Sequence, residues 1–123
     1  MHKKQGDCHM ENLEKIYNYR TIIKQILSQH ASYEPSHGEI EMQTIFDTEQ
    51  DRYQILAIGW NKEKRIYGCS MHLDIKLGKI WIQANNTEID IAEALVAQGV
   101  PKEDIVIGLQ PAYLRQYTGY AIA

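Results

Sequence analysis

Residues 52–83 read RYQILAIGWNKEKRIYGCSMHLDIKLGKIWIQ, and the rest of the chain is organised around them. Two interruptions, NKEK at 61–64 and KLGK at 76–79, are polar or carry glycine, while the runs between them are rich in Ile, Tyr, Trp and Leu. That is the pattern of three antiparallel strands joined by tight turns, a β-meander. Centring the turns on Lys62-Glu63 and Leu77-Gly78 sets Leu56 opposite Cys69, Ile58 opposite Tyr67, Leu73 opposite Ile82 and Ile75 opposite Ile80. One face is therefore expected to be apolar throughout. Strict alternation assigns Tyr53, Ile55, Ala57, Gly59, Ile66, Gly68, Ser70, His72, Asp74, Trp81 and Gln83 to the other face. A solvated face would be cleanly polar, so Ile55, Ile66 and Trp81 on the nominal outside imply cover by a terminal segment or by another chain.

Upstream, residues 1–9 are polar and without periodicity, as expected of a disordered leader. Across residues 11–29, Leu13, Ile16, Tyr17, Ile22, Ile23, Ile26 and Leu27 recur at spacings of three and four, which predicts a long amphipathic helix across the sheet. Residues 30–38 hold Pro35 and Gly38 and read as a loop. The next nine residues alternate, with Ile40, Met42, Thr44 and Phe46 on one side, and form an edge strand antiparallel to residues 52–60.

Downstream of the meander, Thr87 stands as a helix N-cap with Asp90 three residues on. Ile91, Ala92, Leu95 and Val96 form the buried stripe of a second helix that Gly99 ends. Ile105, Val106 and Ile107 do not alternate, which suits a segment buried on both sides or docked over a sheet edge. Pro111 opens a single helical turn, and the tail at 118–123 stays apolar to its last residue. The expected fold is α+β: about four antiparallel strands plus a short C-terminal strand, packed by a long N-terminal helix and a second helix, in one domain over 10–123.

A chain of 123 residues with 44% apolar and 24% charged content suits one globular domain. No stretch has the length or apolarity of a membrane span, the first residues lack the pattern of a secretory signal, and a cytoplasmic location is expected. Cys8 and Cys69 form neither a disulfide framework nor a zinc motif, and Cys69 reads as a buried small apolar residue. The net charge of −3 argues against a protein that lives by neutralising phosphates. Acids are concentrated before the meander, and bases within its turns.

His72 and Asp74 lie two apart on one strand and so share a face, with Gln83 and Trp81 beside them. A histidine held by a carboxylate can serve as a general base, but no motif places a nucleophile, so a structural or interface hydrogen bond is the expected role. A metal site would need His30 or His37 as a third ligand, and neither spacing supports it. Neither GxGxxG nor GxxxxGKS occurs, and no cofactor is expected. Among the sheet aromatics, Trp60 and Tyr67 are expected in the core, and Tyr53 and Trp81 at a protein contact. Arg115 stands between Tyr113 and Tyr117, where it either anchors a partner or caps a group within the chain. The candidate interaction residues are thus Tyr53, Ile55, Ile66, His72, Asp74, Trp81, Arg115 and Tyr117. A second reading has Lys62, Lys64, Arg65, Lys76 and Lys79 touching DNA phosphates.

From residue 51 onward the string resembles the XisI family, the fdxN-element excision controlling factors of filamentous cyanobacteria. The similarity is carried by Gly59-Trp60, the 68–75 segment ending His72-Leu73-Asp74-Ile75, residues 79–83 (KIWIQ), Thr87-Glu88, Gly99-Val100-Pro101, Asp104-Ile105-Val106 and residues 117–121 (YTGYA). The resemblance implies a small, non-enzymatic α+β accessory protein for excision of a DNA element during heterocyst differentiation. It implies an XisH-like partner with an endonuclease-type fold, this chain forming a homodimer or a hetero-oligomer with that partner, with DNA contacted indirectly and no membrane. An antitoxin-like inhibitory role toward that partner is the alternative. No catalytic residues come with the resemblance.

Overall fold

The computed structural model describes residues 2–32 and 39–123, with side chains from Asn12 onward. The elements run α1 (His2–Ser32), β1 (Glu39–Asp47), β2 (Arg52–Asn61), β3 (Lys64–Lys76), β4 (Lys79–Asn85), α2 (Ile91–Ala97) and β5 (Ile105–Val106). Leu77 and Gly78 take φ of 52° and 78°, the left-handed pair that lets two residues reverse a twisted hairpin. The strands form one sheet in the order β1-β2-β3-β4-β5, antiparallel except for β5 against β4. The fold is α+β.

All four cross-strand pairs expected of the meander are present: Leu56 with Cys69, Ile58 with Tyr67, Leu73 with Ile82, and Ile75 with Ile80. They do not share a face. The β2–β3 register shifts between Ile55 and Leu56, so that Met71 pairs with Ile55 while Cys69 pairs with Leu56. Ser70 is therefore an extra residue, and a bulge of this kind reverses the alternation beyond it. Cys69 and Met71, two apart in sequence, point to opposite sides.

One consequence is a correction to two candidate residues. Tyr53 and Ile55, placed on the outer face by strict alternation, are buried together with Met71, Leu73, Ile75, Ile80 and Ile82. Conversely, Leu56, Ile58, Tyr67 and Cys69 lie on the outer face.

Helix α1 covers the core face with Tyr19, Ile22, Ile23 and Leu27, spaced three and four apart and all buried. The stripe is narrower than the sequence suggested. Leu13 and Tyr17 are exposed, because Tyr17 sits two residues, about 200° of helical rotation, from the buried Tyr19. The bounds of α1 also run back to His2, through the stretch expected to be a disordered leader. The loop expected over residues 30–38 begins later, because α1 continues to Ser32; residues 33–38 lie outside the described residues.

Arg20 fastens α1 to the β1–β2 turn. Its guanidinium donates to Asp51 from Nε at 2.7 Å and from Nη2 at 3.1 Å, and the Tyr53 hydroxyl donates to the same carboxylate at 2.9 Å. At the other side of the sheet, Tyr19 donates to Asp104, which also pairs with Lys15. Burial, reinforced by these carboxylates, pushes both tyrosine hydroxyls well above their ordinary pKa.

The second helix is capped by Asp90, whose side chain accepts from the Glu93 amide at 3.0 Å. Thr87, the expected cap, instead holds the preceding turn, donating to Asn85 and accepting from the Ile89 amide. Ile91, Ala92 and Leu95 are buried as the stripe predicts. Ile105 and Val106 form β5, buried on both sides, which explains their lack of alternation.

Candidate functional site

The outer face divides into a roofed half and a bare half. Beyond β5 the chain crosses back over β4, with the Leu109 amide donating to the Ile82 carbonyl at 3.0 Å. Gly108 permits the crossing, since a Cβ there would lie 2.7 Å from Gln83 Oε1 and 3.0 Å from Trp81 Cε3. A 3-10 turn at Ala112–Tyr117 follows, with Pro111 at its N-cap as expected. Arg115 donates to the Gln110 carbonyl at 3.0 Å and lies 5.1 Å from the Trp81 ring centroid, while Lys76 Nζ lies 4.5 Å from the same centroid. Two cations thus lie against the half-buried Trp81 ring, each contributing on the order of 1 kcal/mol. Of the two roles open to Arg115 from sequence, the intrachain cap is present. The apolar tail returns as well, with Ala121 bridged to Val106 and its amide donating to the Ile105 carbonyl.

Beside Trp81, His72 Nε2 donates to Asp74 Oδ1 at 2.8 Å, and Gln83 donates to Asp74 Oδ2 at 3.2 Å. The cluster expected from spacing is therefore formed, although a second register shift between His72 and Leu73 sets Ala84, not Gln83, across from His72. Both lone-pair-bearing oxygens of Asp74 are engaged within the sheet, the arrangement of a cross-strand clamp. Among the described residues, no three His, Cys, Asp or Glu side chains gather as a metal shell. His30 lies elsewhere, lining a cavity of about 330 Å³ between α1 and α2 with Ile26, Met71 and Ala94, and His37 lies outside the described residues.

The bare half spans β1, β2 and β3. Its rows, read across the strands, are Glu39, Trp60, Arg65; Glu41, Ile58, Tyr67; Gln43, Leu56, Cys69; and Ile45, Gln54, His72. Trp60 is 47% exposed, Tyr67 66% and Ile45 41%. These fates are the reverse of expectation: Trp60 and Tyr67 are at the surface, and Tyr53 is in the core. The bulge at Ser70 is the reason. Ile66 is half-buried and on the core side of the sheet, so it too leaves the outer face. Cys69 is half-buried rather than buried, donates to the Met71 carbonyl at 3.2 Å, and has its thiol pKa raised by burial. Arg65 stacks over Trp60 at 5.3 Å.

On the roof itself, Tyr113, Tyr117 and Ile122 are 72%, 78% and 59% exposed, so the C-terminal segment carries apolar side chains outward as well as inward. No helix among the described residues is long and apolar enough to cross a membrane.

A model of the family described as XisI protein matches residues 13–122. The chain belongs to the XisI family. Solved XisI structures agree: a XisI-like protein from Anabaena variabilis ATCC 29413 is 48% identical, with a TM-score of 0.82 over 88% of this chain and 99% of that one. The fdxN element excision controlling factor XisI of the same organism is 31% identical, with a TM-score of 0.77 over 89% of this chain and 99% of the other. Among curated proteins, none matches. Family kinship agrees with the resemblance read from Gly59-Trp60 and the 79–83 segment. The Ser70 bulge decides which side chains of β2 and β3 face outward.

Proposed function

We propose that this XisI-family chain is a non-enzymatic accessory factor in the programmed excision of a DNA element, acting by binding an XisH-like protein. The 31% identical relative, the fdxN element excision controlling factor XisI of Anabaena variabilis, supports the setting. The observation that carries the binding role is the outward display of Tyr113 and Tyr117 on a turn whose Arg115 is fixed to Trp81 and to Gln110. Rigid aromatic side chains that are wet in the free protein suit a partner interface, because burying them costs little side-chain entropy. The basic side chains considered for DNA are already engaged in part: Lys76 and Arg65 lie over tryptophans, and Lys79 donates to the Ala123 carbonyl. Direct phosphate neutralisation is the weaker reading.

The test is co-expression with the XisH-like protein and affinity capture. Replacing Tyr113 and Tyr117 together by Ala is expected to weaken capture by about 2 kcal/mol or more, some thirtyfold. Capture unchanged by that double replacement contradicts the proposed surface, and absence of capture with the unaltered chain contradicts the partner.

A further inference from the structure

The bare half of the outer face is asymmetric in charge. Along one flank β1 presents Glu39 and Glu41, along the other β3 presents Arg65 and Tyr67, and between them β2 presents Trp60, Ile58 and Leu56. Arg65 makes no ion pair among the described residues.

We propose that this face packs against the same face of a second copy, about a two-fold axis parallel to β2. Rotation about that axis lays β1 of each copy over β3 of the other. Glu39 then meets Arg65, the Glu41 carboxylate meets the Tyr67 hydroxyl as an acceptor, and Trp60, Ile58 and Leu56 meet their own counterparts. A self-complementary patch is what a closed two-fold interface requires. Aligned sheet packing with interdigitating side chains is the geometry it would adopt.

Other self-associations are disfavoured by the same residues. An axis perpendicular to the strands lays β1 over β1, acid over acid. Antiparallel edge pairing of two β1 strands about Gln43 sets Glu39 against Asp47, and like charges directly opposite are unfavourable. The exposed patch covers only three strands, so the association is concentration-dependent and not obligate.

Sedimentation equilibrium of the full chain across the micromolar range tests this, with single and paired charge reversals. The unaltered chain is expected to pass from monomer to dimer and no further. Glu39→Arg or Arg65→Glu alone places like charges opposite twice per dimer and is expected to lower the association constant about tenfold or more, and the two together are expected to restore it. A chain monomeric throughout, an assembly larger than a dimer, single reversals without effect, or a double reversal that fails to rescue would each overturn the proposal. In edge-to-edge pairing, Arg65→Glu would change nothing, so that mode is separated by the same series.

Discussion

The protein's two tryptophans sit on the same sheet face and have opposite surroundings. Trp81 is enclosed by Lys76, Arg115 and the chain at Gly108, whereas Trp60 is covered on one side by Arg65 and is otherwise open. An apolar side chain on an outer sheet face is therefore not in itself a sign of a partner. Trp81 is roofed by the chain's own C-terminus. Trp60 is not, and with Tyr67, Ile58 and Ile45 it forms the surface that asks for another polypeptide.

The largest expected effect separates the two. Trp81→Ala should unlock the C-terminal segment and cost about 3 kcal/mol of folding stability, read as a lower urea midpoint. Trp60→Ala should cost the monomer less than about 0.5 kcal/mol, as for other surface sites. Equal losses would erase the distinction between the halves. Next comes the latch on the core side: Asp51→Ala leaves Arg20 and the Tyr53 hydroxyl without their acceptor and should cost about 2 kcal/mol in the same measurement.

A pH series sharpens the same contrast. The hydroxyls of Tyr19 and Tyr53 have folded pKa values raised above the unfolded one, so their contribution is whole below about pH 10 and lost as pH rises through the folded values. Alkaline unfolding above about pH 10 should flatten in Tyr19→Phe and Tyr53→Phe. The smallest effect is at Cys69, whose raised thiol pKa should make alkylation by iodoacetamide at neutral pH slower than that of a free thiol.

Much of the fold was legible because turns and pairing are local. KLGK at 76–79 fixed a hairpin, the pairs across it followed, and the stripe of α2 and the depth of Ile105 and Val106 could be read from spacing alone. The His72–Asp74 cluster was legible for the same reason. Which face each pair joined was not, because that depends on a single inserted residue. Ser70 reverses the alternation between Cys69 and Met71, and its effect lies in the pairing with Ile55 and Leu56 rather than in its own chemistry. The roofing of Trp81 was equally hidden, since it joins residues far apart in sequence through a close approach at Gly108.

Oxidative footprinting of the two tryptophans, on one sample at low and at high chain concentration, tests the account most directly. The bare half is held to be a contact surface, so Trp60 should become progressively protected as concentration rises, while Trp81 stays protected throughout. Trp60 oxidised at one rate at every concentration would contradict it.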